Sequence, residues 1–175
     1  MSHRDRASRP FSTFWGIAIR LALYQPDIPQ NAGTLLRLAA CLGLAVDIVE
    51  PAGFPVSDRA FRRAGLDYLD RVEIERHVSF ATFEQARRGA GRRLVLLTTR
   101  AETSFLDVSY GADDILMVGR ESAGAPPAVH DAADLRVAIP MRAGLRSINV
   151  AVAAAMVISE ALRQTAAFPS WGAKA

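Results

Sequence analysis

The stretch Leu21-Ala22-Leu23-Tyr24-Gln25-Pro26-Asp27-Ile28-Pro29-Gln30-Asn31-Ala32-Gly33 decides how this chain is read. An apolar run ends abruptly in a proline-rich polar loop. Asn31, an N-cap residue type, then opens a helical pattern that stops at Gly43, a residue type suited to the turn after a helix. Short apolar runs without polar alternation suit strands buried on both faces, as a parallel sheet demands. Such runs occur at Ile17–Tyr24, Leu44–Val49, Leu94–Thr98, Ile115–Val118 and Leu135–Ile139. Helical segments are expected at Ser57–Ala64, Ser79–Arg88 and Asn149–Thr165. The last is apolar nearly all round until Glu160, which implies deep burial or a partner surface. The alternation predicts an α/β fold, a mostly parallel sheet flanked by helices.

The strand-then-polar-loop arrangement occurs twice more. Ile115-Leu116-Met117-Val118 runs into Gly119-Arg120-Glu121-Ser122-Ala123-Gly124, and Val137-Ala138-Ile139-Pro140 leads to Arg146-Ser147-Ile148-Asn149. Ligands of open α/β sheets sit beyond the carboxyl ends of the strands, so the three loops together predict one composite site. Singly each is weak. Asn31-Ala32-Gly33 is accounted for equally well by a turn and cap, the Gly119 loop by a turn ending in Pro126-Pro127, and Ser147 or Asn149 by the N-cap of the final helix. Arg37, flanked by Leu35, Leu36, Leu38 and Ala39, suits either a site or a snorkelling surface arginine.

Bulk properties bound the alternatives. A chain of 175 residues, half of them hydrophobic, can bury a real core. The formal net charge of +3 and pI near 9.6 permit a nucleic-acid partner without requiring one. Arginine supplies nearly all the positive charge, Lys174 being the single lysine. That excess suits phosphate binding and equally a GC-rich genome. Cys41, the single cysteine, allows no intramolecular disulfide, which suits a cytoplasmic protein, and its apolar neighbours predict a buried core position. His3, His77 and His130 lack metal-ligand spacing, so no metal is expected. Residues 1–15 read as a flexible extension, 16–168 as a single domain and 169–175 as a tail. No segment is long and apolar enough for a membrane span. A dinucleotide fingerprint, a Walker A loop and a G-x-S-x-G elbow are all absent; Glu50, at the end of the second strand, reads as a strand-end charge.

Combined, the loops resemble a known family. Tyr24-x-Pro26-x-Ile28-Pro29-x-Asn31-x-Gly33-x-x-x-Arg37-Leu38 is similar to the first motif of the SpoU branch of the SPOUT RNA methyltransferases. Gly119-x-Glu121-x-x-Gly124 resembles the second motif, and Ile139-Pro140-Met141 through Arg146-Ser147-Ile148-Asn149 the third. Arg62-Arg63-Ala64-Gly65-Leu66-Asp67-Tyr68 is similar to a stretch typical of the tRNA wobble-position (cytidine/uridine-34) 2′-O-methyltransferases.

The resemblance implies a C-terminal trefoil knot (the SPOUT fold), a homodimer, S-adenosyl-L-methionine as cofactor and the ribose of the tRNA anticodon stem-loop as target. It implies cofactor contacts at Leu97, Gly119, Ile139 and Ser147, and catalytic roles at Arg37, Asn31, Glu121 and Asn149. A guanidinium is a poor base at neutral pH, so Arg37 is expected to bind the neighbouring phosphate and orient the hydroxyl. Arg59, Arg62, Arg63, Arg142 and Arg146 are available for RNA. Two departures stand out: Arg120 replaces a common proline, and Ala151-Val152 replaces a second Ser-Asn pair of the third motif. The alternatives are ribose methylation of rRNA or another tRNA position, or an RNA-binding homologue without turnover.

Overall fold

The computed structural model describes residues 19–55 and 66–170. The expected N-terminal extension, the expected helix Ser57–Ala64 and residues 171–175 of the tail lie outside the described residues. So do Arg59, Arg62 and Arg63.

Six strands form one parallel sheet: β1 (Arg20–Tyr24), β2 (Ala45–Val49), β3 (Ile74–His77), β4 (Leu94–Leu97), β5 (Ile115–Val118) and β6 (Leu135–Val137), in the order β3-β2-β1-β5-β4-β6. The helices are α1 (Pro29–Leu42), α2 (Phe80–Gly89), α3 (Pro127–Ala132) and α4 (Val150–Gln164), with a 3-10 helix at Leu66–Arg71. Strand β3 and helix α3 extend the sequence reading. Ile74-Glu75-Arg76-His77 carries too little apolar character to announce an edge strand, and α3 is only six residues long.

Alternation along the strands divides the core. Leu21, Leu23, Val46, Ile48, Val95, Leu116 and Val118 belong to one cluster with α1 and α4. Ala22, Tyr24, Val49, Leu94, Leu96, Ile115 and Met117 pack with Phe83 of α2 and Val129 of α3. Each fully buried Leu or Ile here stabilises the fold by about 2 kcal/mol relative to exposure.

Helix α1 begins at Pro29, a residue pre-set for the first turn, rather than at Asn31. It ends at Gly43, whose φ of 71° permits the left-handed closing turn. Asn31 is therefore inside the helix, and its side chain is not spent on capping. Cys41 is exposed rather than buried. The buried stripe of α1 is Ala32, Gly33, Leu35, Leu36 and Ala39, and Cys41 lies two residues past it on the outer side. Helix α4 is capped by Asn149, whose side-chain oxygen accepts from the N–H groups of Ala151 at 2.9 Å and Val152 at 3.3 Å. One face of α4 is buried through Ala151, Ala154, Val157, Ile158, Ala161 and Leu162, while Val152 is 54% and Met156 38% exposed.

Candidate active site

The head of α1 and the loops that follow β4, β5 and β6 surround a cavity of about 550 Å³ at the carboxyl ends of the strands. Leu97, Val118 and Ile139 give it apolar wall; Thr98, Ser147, Glu121 and Asn149 give it polar wall.

Of the eight residues singled out from sequence, seven line this cavity: Asn31, Leu97, Gly119, Glu121, Ile139, Ser147 and Asn149. Three side chains form a chain of contacts across it. Asn149 donates through Nδ2 to Asn31 Oδ1 at 3.0 Å, which leaves the Asn31 amide nitrogen for the Glu121 carboxyl it adjoins. Residues 118 positions apart are thereby joined, tying the head of α1 to the head of α4. Arg37 stands apart. It is exposed, six residues further along α1, and its guanidinium lies over the Tyr68 ring at 4.9 Å from the centroid rather than in the cavity wall.

Gly119 is required by the chain itself. A Cβ there would meet Ala125 N at 2.7 Å and the Gly124 carbonyl carbon at 2.8 Å, so the loop folds back across the strand end at a distance only glycine allows. That return is closed by the Gly124 N–H to Arg120 O bond at 2.8 Å, with Gly124 at a φ of +67°.

Electrostatically the cavity is uneven. Burial first, then the adjoining Asp27 carboxylate, hold the Glu121 carboxyl above its ordinary range. Asp27 is held down at about 2, first by its side-chain contact with Glu121 and further by Ser122 and Arg120. His130 is held below its usual value by burial and by Arg100 and Arg136.

Arg100 and His130 also line the cavity and belong to none of the three motifs. Arg100 had a signal: Thr98-Thr99-Arg100 after β4 is a fourth polar loop at a strand end. His130 had none, because α3 is too short to show a period. Among the described residues, Asp47, Glu75 and His77 could group around a metal, their ligand atoms lying within 4.8 Å of one another. Arg20, however, donates to Asp47 at 2.7 and 3.1 Å and to Glu75 at 3.3 Å, which makes the group an ion-pair network.

A parallel sheet with a cavity built from these three motif loops defines a SpoU-type methyltransferase fold. The family model for the SpoU rRNA Methylase family matches residues 18–159, and the chain belongs to that family. Among its relatives, a tRNA (cytidine(34)-2′-O)-methyltransferase of Beijerinckia indica subsp. indica is 65% identical over 147 residues, covering 84% of this chain and 92% of that protein. A solved structure concerned with the 2-OH methylation of C/U34 on tRNA superposes with a TM-score of 0.81 at 40% identity, covering 85% of this chain and 97% of the other. The SpoU methyltransferase AviRb from Streptomyces viridochromogenes, in complex with the cofactor AdoMet, gives a TM-score of 0.74 at 29% identity over 82% of this chain and 59% of that one.

Proposed function

We propose that this chain is an S-adenosyl-L-methionine-dependent tRNA (cytidine/uridine(34)-2′-O)-methyltransferase of the cytoplasm, acting on the wobble ribose. The observation that carries the reading is the Asn31–Asn149 bridge beside Glu121, in which all three family motifs meet at one cavity. Near-complete coverage of the Beijerinckia relative supports the wobble ribose as the target.

The cavity fits an adenosyl group. Its volume of about 550 Å³ lies within the usual range for such sites. Leu97 and Ile139 offer flat apolar surface for the adenine, and the backbone around Gly119 and Ser147 offers groups for its edges. Bound S-adenosyl-L-methionine supplies a methyl group on a sulfonium, an electrophile in need of an aligned oxygen. The chain supplies the alignment: Asn31, Glu121 and Asn149 fix the three loops, and positioning of this kind can lower a barrier by several kcal/mol. Arg37, held over Tyr68 outside the cavity wall, binds a phosphate next to the target ribose and orients its hydroxyl.

A homodimer completes the reading, with the exposed apolar side of α4, Val152 and Met156, together with Ile148, covered by a second copy. The crossing of residues 139–149 into α4 is read as the trefoil knot of a single domain.

The test is transfer of tritiated methyl from S-adenosyl-L-methionine to bulk tRNA and rRNA, followed by nucleoside analysis. Label in 2′-O-methylcytidine or 2′-O-methyluridine at position 34 is expected. Label confined to rRNA, or cofactor binding with no transfer, would replace this reading by one of its alternatives. In the same assay Arg37→Ala should lower single-turnover transfer by about 100-fold, the size expected for lost positioning, with cofactor affinity unchanged.

A further inference from the structure

Asp27 does not line the cavity, yet the loop after β5 closes on it. The Glu121 N–H donates to Asp27 Oδ1 at 3.1 Å, the Ser122 hydroxyl donates to Asp27 Oδ2, and Arg120 Nε lies 3.7 Å from that oxygen. In return the Asp27 N–H donates to Glu121 Oε2 at 3.1 Å. The exchange sets two carboxyl groups against each other. Asp27 has no room to retreat, because Gly53 sits behind it: a Cβ on Gly53 would come within 2.8 Å of Asp27 Cβ and 2.9 Å of its Cα.

Donors are shared unequally across the pair. Asp27 receives an amide, a hydroxyl and a nearby guanidinium; Glu121 receives the Asp27 amide and the Asn31 side chain. Two adjoining carboxyls resist ionising together, so the better-supplied one carries the charge. The depressed Asp27 and elevated Glu121 agree with that division.

We propose that Asp27 is a positioning residue for methyl transfer, acting through Glu121, whose carboxyl it aims at Asn31 and whose protonation it governs. The inference rests on the methyltransferase reading above. Other charges near Glu121 among the described residues are Arg120 on its own loop and, on the remaining walls of the cavity, Arg100, His130 and Arg146. Glu50, beyond Gln25, is engaged by Arg76. None of these bonds to the Glu121 carboxyl, so removing the Asp27 charge should act on it directly.

The experiment uses the full chain labelled with 13C at glutamate carboxyls, comparing the parent with Asp27→Asn. Asparagine keeps an oxygen for the Glu121 N–H, and the Ser122 hydroxyl can turn to accept from the new amide nitrogen, so the loop stays docked while the charge goes. The Glu121 titration midpoint should fall by about one pH unit or more. The Glu121-linked step in the single-turnover pH profile should move to lower pH by the same amount, with cofactor affinity within about twofold of the parent. An unmoved midpoint overturns the coupling. A moved midpoint with an unmoved transfer profile makes Asp27 merely structural. A parent chain that transfers no methyl sinks the functional reading, and the carboxyl titration then decides alone whether Asp27 governs Glu121.

Discussion

At the amino ends of the strands, Arg93 donates to Asp114 at 2.9 and 2.7 Å, and Arg87 reaches Asp134 at 2.9 Å, the Ala132 carbonyl at 2.8 Å and the Glu84 carboxylate. At the carboxyl ends, Arg100 and Arg146 line the cavity with no carboxylate in ion-pair reach among the described residues. The same residue type thus does two jobs. A guanidinium bonded to carboxylates and carbonyls within the chain fixes strands. One left facing a cavity keeps its donors for a ligand or a phosphate. Arg120 combines both roles, lining the cavity while its guanidinium lies 3.7 Å from Asp27, and composition alone distinguishes none of these cases.

The contrast can be broken from either end. The largest effect is expected at the open end, from Gly119→Val. The new side chain must displace the backbone of Gly124–Ala125, so S-adenosyl-L-methionine binding should be lost in calorimetry. Far-UV circular dichroism should stay near the parent's, because the displaced loop is neither helix nor strand. Tight binding by this variant would remove the Gly119 loop from the site.

Next comes Arg87→Ala at the closed end. It strands the Arg92 and Ala132 carbonyls around a side chain that is 4% exposed, takes from Asp134 its guanidinium partner and leaves Glu84 to Arg88, and should cost about 3 kcal/mol in urea unfolding. Cofactor affinity of the folded fraction should not change. If affinity falls with stability, the two ends of the sheet are coupled.

The smallest effect belongs to Tyr110→Phe, in the β4–β5 connection that packs on α4. Its hydroxyl donates to the Phe105 carbonyl at 2.8 Å, and losing that bond should cost about 1 kcal/mol. Burial, with Glu160 and Asp114 nearby, raises the Tyr110 phenol well above its ordinary value of 10.0. Because the folded form favours the neutral phenol, the contribution is complete below the unfolded value and is lost as pH climbs beyond it. Stability of the parent should therefore fall more steeply above about pH 10 than that of Tyr110→Phe. Parallel curves would show that the phenol titrates alike in both states.

Much of this molecule is legible in one dimension. Five of the six strands lie within the apolar runs, because a strand buried on both faces announces itself by a few consecutive residues. The three motif loops carry enough unusual residues to mark the cavity. The apolar neighbours of Cys41 predict burial, but helical burial follows a period of 3.6, and position 41 falls off the buried stripe. The residue type of Asn31 favours a cap, but Pro29 starts the helix two residues earlier and leaves the Asn31 side chain for Asn149.

Local pattern, then, determined the parallel α/β sheet and the loops that end its strands, since the relevant forces act between residues a few positions apart. The tertiary structure alone decided which charges close on one another, that Arg37 stands outside the cavity, and that Asp27 faces Glu121. Those two residues are 94 positions apart, and no spacing in the chain encodes a contact made by separate crossovers of the sheet.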